Sequence, residues 1–446
     1  MKKTTITRAL SRPLSLFLAL ALALLCSVAL FSCSPRTEAL PDKEEILANI
    51  EERDGGFSTV HEYLADWGIH SFNTLKMTRI ESVYKKYFYQ ELPSAKAFAK
   101  KVATIFLEEC YDELENPDQA ELTDALINCF VAATEDRYAY YRTAKEYSEY
   151  LTDMSGTFVG IGVTVRYENE KITIIRLVPD APAIEAGMKV GDILVAVDGT
   201  PVSEAGYEAS VNSIRGEEGT QVTLTLERDG ELIDITATRR AVVEPTVEYE
   251  LKDGIGYILV TSFKSTTAKQ FIDAIDYMEK WRAEGLIFDL RTNTGGYLSA
   301  VSKMVGYLVP KGTPISSFTN NYAPTLTADS EHSISVPCVI LTNEYTASAS
   351  ELFVAALLDY DEMGLIECTT VGKTTYGKGV MQTTVEFTDN TAITLTVAYF
   401  NSPLGKNHDG VGLVPDVEAE YSLEHDGQLE AAYEEIAKLI GAKAET

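Results

Sequence analysis

Several patterns that identify common enzyme classes are missing from this sequence. Its 446 residues include five histidines and six cysteines, but no CxxC pair and no HExxH motif, so it offers no recognisable zinc site. It also lacks the GxSxG motif that marks the nucleophile turn of many histidine-dependent serine hydrolases. Acidic residues outnumber lysine and arginine by 67 to 38, and the net charge of −29 argues against nucleic acid as a partner.

The N-terminal segment differs from the rest of the chain. Four basic residues precede an apolar run at positions 14–31, "LSLFLALALALLCSVALF", which is typical of an export signal. The run leads into "LFSC", which resembles the lipobox of bacterial lipoproteins and predicts acylation of Cys33. We expect residues 1–32 to be a signal peptide and residues 33–43 to be a polar tether. Without cleavage the run is long enough to span a membrane, so either outcome predicts an extracytoplasmic protein anchored to a bacterial membrane.

Four further cysteines lie in the predicted mature region. Cys110, Cys129, Cys338 and Cys368 match no metal-binding spacing. For a protein outside the cytoplasm, a Cys110–Cys129 disulfide and separate buried thiols both fit the sequence.

Changes in the hydrophobic pattern divide the mature region into parts. Residues 44–150 have apolar residues three and four apart, which predicts a helical region. Residues 156–241 contain short alternating strands, the first two joined in a hairpin at Asn169, and predict a compact mixed module. Residues 242–425 alternate fully apolar strands with helices, which is typical of an α/β core whose sheet is covered on both faces. An amphipathic helix is predicted at 426–446.

The segment "EYTASASEL" (344–352) carries three hydroxyl side chains, Thr346, Ser348 and Ser350, just before an apolar run. Ser348 and Glu351 fit the capping box S-x-x-E, so one interpretation is that Ser348 only begins a helix. The other interpretation is that Ser348 is a nucleophile on a strand-to-helix turn, which requires a general base. The histidines nearest in sequence have no recognisable catalytic context.

The segment "GKTTYGKG" (372–379) supplies a candidate base. It resembles a nucleotide-binding Walker A loop, but Gly379 replaces the required hydroxyl and a strand-like sequence follows, so we expect no nucleotide. A desolvated lysine is more easily neutral, and a neutral Lys378 can take a proton from a serine hydroxyl. If residues 378–382 form a strand, Gln382 lies on the same face and can orient the amine.

The segment "DLRTNTGG" (289–296) follows an apolar strand and predicts an anion-binding loop. Paired glycines let backbone N–H groups approach a ligand closely. The N–H groups of Gly295 and Gly296, with that of Ala349 after the nucleophile, can stabilise the oxyanion of a tetrahedral intermediate. We expect Asp289 and Arg291 to brace this loop.

Taken in order, segments from about residue 135 to 420 resemble the carboxy-terminal processing proteases, a family of tail-specific serine peptidases. Eight segments in family order carry the resemblance: "EDRYAYY", "GTFVGIGVTV", "PAIEAGMKVGDILVAVDG", "GYILVTSF", "DLRTNTGG", "TASASE", "VGKTTYGKGVMQ" and "GVGLVPD". The chain departs from the family pattern at Thr294, which replaces a proline, and in the 30-residue spacing from Ser348 to Lys378. Residues 44–130 match no family motif.

The resemblance implies a crotonase-like α/β protease core, an inserted PDZ domain at 156–241 and no metal or other cofactor. It implies that the partners are proteins or peptides with exposed C-terminal tails. It assigns the nucleophile to Ser348, the base to Lys378, its partner to Gln382, the oxyanion hole to Gly295, Gly296 and Ala349, and capture of the tail carboxylate to the backbone of Gly160, Ile161 and Gly162.

The predicted function is therefore a membrane-anchored extracytoplasmic serine endopeptidase with a Ser-Lys dyad. The alternative from another class is a PDZ-bearing binding or scaffold protein with an inactive protease core. The intact Ser348, Lys378 and Gln382 argue against that alternative, because inactive homologues usually lose a catalytic group. A histidine-dependent hydrolase is disfavoured because the sequence lacks its nucleophile motif.

Overall fold

The computed structural model of the chain describes residues 40–114, 116–319, 322–422 and 424–444. The predicted signal peptide, Cys33 and most of the predicted tether lie outside the described residues. Within the described ranges, no helix combines the length and apolar character needed to cross a membrane. The chain forms two compact units, one ending at Arg137 and one starting at Tyr138, with Tyr87–Tyr89 assigned to the second.

The first unit is helical, as the periodicity predicted. Asp118 begins one helix by accepting hydrogen bonds from the N–H groups of Ala120 and Glu121, while Glu121 bonds back to the Asp118 N–H. Trp67, Phe98, Phe106 and Phe130 are fully buried in its core. The helices are α1 (Lys43–Glu52), α2 (Val60–Asp66), α3 (Thr74–Tyr87), α4 (Ala95–Ile105) and α5 (Gln119–Ala133), and a π-helical turn (Phe106–Cys110) and a 3₁₀ turn (Tyr111–Glu113) follow α4.

The described cysteines are free thiols, so Cys110 and Cys129 form no disulfide in the structure. The Sγ atoms of Cys110 and Cys129 are 3.6 Å apart, in hydrogen-bonding contact. Cys338 and Cys368 are buried opposite one another on neighbouring parallel strands of the second unit.

Residues 138–150 belong to the second unit, although the sequence grouped them with the N-terminal helices. The reason is strand pairing: β1 (Tyr140–Arg142) lies antiparallel to β18 (Ala392–Asn401). The helix α6 (Ala144–Ser155) follows, with a capping box between Thr143 and Glu146 at its start and Gly156 in a left-handed conformation at its end.

Residues 157–243 form the inserted module. The ribbon β2 (Thr157–Gly160) and β9 (Arg240–Val243) carries the chain into and out of it. The predicted hairpin is confirmed, because β3 (Val163–Glu168) and β4 (Lys171–Leu177) are joined at Asn169 and Glu170. An apolar cluster that includes Ile172, Leu194 and Leu224 fills the module. Its other elements are α7 (Pro182–Glu185), β5 (Ile193–Val197), β6 (Thr200–Pro201), α8 (Val202–Ala205), α9 (Tyr207–Ile214), β7 (Gln221–Arg228) and β8 (Glu231–Thr238).

The α/β core is built on a six-stranded sheet with the order β10-β11-β12-β15-β16-β19. Its central strands are parallel and fully buried. Alternate residues pack against apolar clusters on opposite faces of the sheet, Phe288 and Ile340 on one face and Ile287 and Val339 on the other. The strands are β10 (Val247–Lys252), β11 (Ile255–Val260), β12 (Gly285–Asp289), β15 (Cys338–Thr342), β16 (Cys368–Gly372) and β19 (Val417–Glu418).

Helices cover both faces of this sheet, as predicted. On the first face lie α10 (Thr267–Lys280), α11 (Leu298–Leu308) and α12 (Ala349–Glu362), and on the second lies the C-terminal helix α13 (Gly427–Ala444). A second sheet joins β1 and β18 with β13 (Pro314–Phe318), β14 (Leu326–Thr327) and β17 (Val380–Glu386).

Candidate active site

Ser348 lies on the turn between β15 and α12. Its backbone angles, φ 57° and ψ −117°, belong to a region that serine rarely adopts, and such conformations cost about 1–3 kcal/mol. The Ser348 N–H donates to Glu351 Oε2 at 2.8 Å, so this half of the predicted capping box is present. The turn therefore begins a helix and also holds a strained serine, which makes the two interpretations of the sequence compatible.

The flanking hydroxyl groups are occupied by structural contacts. Thr346 and Ser350 are fully buried. The Thr346 hydroxyl donates to Leu290 O at 2.9 Å, and the Ser350 hydroxyl donates to Asn293 O at 2.8 Å. Only Ser348, the middle residue of the three, is partly exposed. Of these hydroxyl groups it is the one that a substrate can reach.

The buried carboxylate of Glu351 connects the two predicted catalytic segments. Its Oε2 accepts from the Ser348 N–H at 2.8 Å and from the Lys378 N–H at 2.7 Å. Its Oε1 accepts from the Gly377 N–H and from the Thr375 hydroxyl, both at 2.6 Å. The N–H groups of Ser348 and Lys378 both donate to Oε2. The distance between their nitrogen atoms therefore cannot exceed the summed lengths of these two hydrogen bonds. The structure thus brings these two residues together across 30 positions of sequence.

Lys378 lies in the loop that precedes β17. Its Nζ is 4.3 Å from the centre of the Tyr138 ring, within the range of a cation–π contact. The condition that residues 378–382 form one strand is not met, because β17 begins at Val380 and its pairing with β18 shifts register between Met381 and Gln382. The prediction that "GKTTYGKG" leads into a strand and not a helix is confirmed.

Gln382 therefore does not share a regular strand face with Lys378. Its amide nitrogen lies 3.3 Å from Val380 O and 3.4 Å from Thr396 Oγ1. These contacts hold the Gln382 side chain near the start of β17, where the pairing with β18 shifts register.

The paired glycines lie against the Ser348 turn. A Cβ atom on Gly295 would be 3.0 Å from Ser348 Cβ and 3.2 Å from the Ala349 nitrogen, and one on Gly296 would be 2.3 Å from Phe263 O. Both positions have positive φ, 109° and 140°, so the loop requires glycine at each. The Gly295 N–H donates to Asn293 Oδ1 at 2.9 Å. The N–H groups of Gly296 and Ala349 have no acceptor among the residues that the structure describes.

Asp289 and Arg291 brace the loop, as expected. The guanidinium bonds both carboxylate oxygens of Asp289 and, at 2.7 and 2.9 Å, those of Asp426 next to α13. Burial opposes the charge of Arg291, but these hydrogen bonds outweigh it and raise its pKa. The pairs fix the end of β12 to the C-terminal helix.

Two contacts at the site were not anticipated. The S-x-x-E pattern predicts only a capping role for Glu351, although its position three residues after Ser348 is the signal that could have identified its place at the site. His408 is buried, with its Nε2 atom 3.8 Å from Glu351 Oε2. Burial lowers the pKa of this imidazole more than the nearby Glu351 and Asp409 raise it. Nothing in "NHDGVG" predicts this contact.

The predicted tail-binding turn lines a groove in the inserted module. Gly160, Ile161 and Gly162 border a cavity of about 690 Å³, with Arg176 among the other lining residues. The carbonyl groups of Ile161 and Gly162 accept hydrogen bonds from Ala183 and Val178, which orients the turn.

An α/β core with an inserted antiparallel module and a strained serine beside paired glycines defines a PDZ-containing peptidase architecture. Residues 254–419 match the family "Peptidase family S41", and residues 159–238 match "PDZ domain". The chain thus carries an S41 peptidase domain and a PDZ domain, and the resemblance to the carboxy-terminal processing proteases is confirmed.

Two curated relatives illustrate the relationship. The chain is 35% identical over 313 residues to "Carboxy-terminal processing protease CtpA" of Bacillus subtilis, covering 69% of this chain and 66% of that protein. It is 32% identical over 332 residues to a "Probable CtpA-like serine protease" of Staphylococcus epidermidis, covering 72% and 65%. The chain therefore spans slightly less than two thirds of the length of these relatives.

Solved structures with the same fold include a "Putative S41 protease" from Bacteroides fragilis. It has a TM-score of 0.51 and 17% identity over 81% of this chain and 97% of that chain, which supports the fold alone. A "Photosystem II D1 C-terminal processing protease" aligns with a TM-score of 0.45 and 25% identity, over 80% of this chain and 96% of that chain.

Proposed function

We propose that the chain is a serine endopeptidase that binds the C-terminal tails of proteins through its PDZ domain and cleaves peptide bonds with Ser348 and Lys378. The observation that carries the proposal is the shared carboxylate of Glu351, which holds the backbone of both residues. The partial exposure of Ser348 between two buried hydroxyl groups supports its role as the nucleophile.

In the proposed reaction the neutral Lys378 amine takes the proton of the Ser348 hydroxyl as Oγ attacks the scissile carbonyl. The resulting ammonium donates a proton to the leaving amine, which leaves an acyl group on Ser348. Water then attacks the ester, again with Lys378 as the base, and releases the new C-terminus. Because the amide nitrogen of Gln382 donates to Val380 O and Thr396 Oγ1, its proposed role is to orient the lysine through the amide oxygen, and an uncharged partner does not raise the lysine pKa as a carboxylate would.

The oxyanion of the tetrahedral intermediate is proposed to bind the N–H groups of Gly296 and Ala349. Of the two glycines in the predicted hole, Gly295 already donates to Asn293 Oδ1, and its role is to let the loop approach Ser348. Two preorganised donors in a partly buried site are typical of acyl-transfer enzymes.

The location of the enzyme is proposed from the sequence of its first residues. The apolar run before "LFSC" supports export, and Cys33 is the proposed site of acylation to an extracytoplasmic membrane surface. Expression of the full chain with a Cys33→Ala substitution should move the protein from the membrane fraction to the soluble fraction. An unchanged membrane fraction would reject lipidation at this cysteine.

The function is tested by cleavage of a protein with a disordered tail, comparing wild type with Ser348→Ala and Lys378→Ala. We expect both substitutions to lower kcat by at least about 10⁴-fold, since dyad members act as a unit. Lys303→Ala is the control, because Lys303 is exposed on α11. Undiminished cleavage by Ser348→Ala would reject the nucleophile, and a wild-type protein that binds the tail without cleaving it would favour the scaffold alternative.

A further inference from the structure

Three side chains that can ligate a metal ion lie together beside α10 and α11 of the core. Asp276 and Glu279 are three positions apart on α10, so their side chains project from one face of the helix. His332 lies in the segment between β14 and β15. One ligand atom from each residue, an imidazole nitrogen or a carboxylate oxygen, lies within 4.8 Å of the other two. Among the described residues this is the one such group of three.

Tyr307 fixes the orientation of the His332 ring. The ring Nδ1 lies 2.6 Å from Tyr307 O, a carbonyl in the last turn of α11, where such groups have no partner within the helix. A carbonyl only accepts, so Nδ1 carries the hydrogen. The imidazole also stacks on the Tyr307 ring, with centroids 3.9 Å apart and an angle of 4° between the planes. The ring therefore presents its Nε2 atom to α10 in a defined direction.

The Nε2 atom of His332 faces a carboxylate. It lies 3.0 Å from Glu279 Oε1. In the neutral ring Nε2 has a lone pair and no hydrogen, and an ionised carboxylate likewise only accepts. Two acceptors at this distance need a positive charge between them, which is either a proton on His332 or a metal ion.

Tyr307 also holds the second carboxylate of the group. Its hydroxyl donates to Asp276 Oδ1 at 2.6 Å. One residue thus hydrogen-bonds two of the three candidate ligands, through its carbonyl and through its hydroxyl. Metal-binding histidines and carboxylates typically have such outer hydrogen bonds, which fix the tautomer and orient the ligand. These bonds to Tyr307 are additional to the ligand set and support a metal site.

We propose that Asp276, Glu279 and His332 bind one divalent cation of the Zn²⁺ class, with water completing its coordination. An imidazole ligand favours Zn²⁺ and similar transition metals over Mg²⁺ and Ca²⁺, which prefer oxygen ligands alone. Zinc bonds of about 2.1 Å to tetrahedral ligands put the ligand atoms about 3.4 Å apart. Both carboxylates are on exposed side chains, so small rotations can reduce the present spacing to that value.

The role that we assign to the cation is structural. It joins α10 to the segment before β15, which is bonded to the end of α11 because the Ile334 N–H donates to Leu308 O at 3.1 Å. Its ligands are not among the residues of the proposed reaction, so the inference does not depend on the peptidase function. The site matches no zinc motif because Glu279 and His332 are 53 positions apart.

The first test titrates the metal-stripped full chain with zinc chloride, followed by calorimetry and by the melting temperature. We expect one equivalent to bind at this site and to raise Tm by a few degrees, since the cation binds the folded chain. Glu279→Gln, at an exposed position, and His332→Gln should each remove the Tm rise and lower the affinity at least about 10²-fold. Tyr307→Phe removes only an outer hydrogen bond and should lower the affinity about tenfold.

His425→Gln is the matched control for the titration. The Nε2 atom of His425 also faces a carboxylate, at 3.4 Å from Glu430 Oε2, but in the described part of the chain no third His, Cys, Asp or Glu ligand joins this pair. This variant should bind zinc as wild type does. Magnesium chloride at the same concentration should give no Tm rise in wild type.

The results that would overturn the site are distinct. An equal Tm rise in wild type, Glu279→Gln and His332→Gln would mean that zinc binds elsewhere. No zinc-dependent rise in wild type would mean that only a protonated His332 pairs with Glu279. An equal rise with magnesium would contradict the Zn²⁺ class.

The second test locates the ion directly. Anomalous scattering from crystals soaked in zinc chloride should give a peak about 2.1 Å from His332 Nε2. The peak should be absent in Glu279→Gln and present in His425→Gln. Peaks only at other residues would contradict the proposal.

Discussion

The PDZ domain and the peptidase core both bury charge, but in different places relative to their proposed sites. The PDZ domain packs around one apolar cluster, and its buried Asp192, which pairs with Arg228, is not among the residues that line the tail-binding groove. The core buries charge within its functional region, where Glu351 is completely enclosed and Asp289 is 2% exposed. A buried charge fixes the position of everything bonded to it, so the core should respond to single substitutions more sharply than the PDZ domain.

Outside Ser348 and Lys378 themselves, the largest effect is expected at the oxyanion loop. Gly296→Ala should lower kcat by about 10²–10³-fold, because the added Cβ meets Phe263 O and displaces an oxyanion donor. The measurement is kcat on a disordered-tail protein. Gly312→Ala is the control, since Gly312 also has positive φ but open space beside it. Equal losses in the two variants would mean that backbone strain, and not the oxyanion loop, causes the effect.

The next effect is expected at the carboxylate that joins Ser348 to Lys378. Glu351→Gln should lower kcat by about 10²-fold with little change in KM. The amide of glutamine carries an NH₂ group, which cannot accept a hydrogen bond, so at least one buried N–H donor would be left without an acceptor. Glu362→Gln, at the other end of α12 and exposed, serves as the control. Full activity in Glu351→Gln would show that the shared carboxylate does not organise the site.

The PDZ domain should show a smaller effect, and on a different kinetic constant. Gly162 has φ 78°, and a Cβ there would be 2.2 Å from Ala181 Cβ, so Gly162→Ala should distort the tail-binding turn. We expect KM for a tailed substrate to rise about tenfold while kcat per bound substrate is kept. A fall in kcat at unchanged KM would contradict the assignment of this turn to tail binding.

The smallest effect is a pH dependence within the PDZ domain. The Arg228 guanidinium, with help from the Lys189 N–H, lowers the pKa of Asp192 despite its burial. A lowered pKa gives stability that is present above the unfolded pKa of about 3.9 and is lost as the pH falls through the folded value. Asp192→Asn should therefore lower the PDZ melting temperature by a few degrees at pH 7, and the gap should close toward pH 3. A gap that is constant with pH would contradict this.

The two regions also differ in what their sequence could predict. The alternating strands and the Asn169 turn of the PDZ domain are local signals, and the structure confirms them. In the core, the motif at Ser348 predicted the helix start, which the structure confirms. The regular strand that would put Lys378 and Gln382 on one face is absent, since β17 begins at Val380. The register shift that follows depends on pairing with β18, which the local sequence does not report. The bonds of Glu351 and His408 join segments far apart in sequence, so no local pattern reports them.

The limits of the domains also show the difference between local sequence signals and contacts between distant segments. Apolar periodicity places residues 138–150 in the predicted helical region 44–150. Their place in the second unit depends on the pairing of Tyr140–Arg142 with β18, about 250 residues away in sequence. Periodicity identifies an element, but it does not identify the sheet that the element joins.

The central claim is that Lys378 activates Ser348. Its most direct test is the rate at which an active-site-directed fluorophosphonate labels Ser348, followed by mass spectrometry in wild type, Lys378→Ala and the control Lys303→Ala. We expect Ser348 to be the labelled residue, with a rate that rises with pH in wild type and falls by at least about 10²-fold in Lys378→Ala. Equal labelling rates in wild type and Lys378→Ala, or labelling at another serine, would contradict the account.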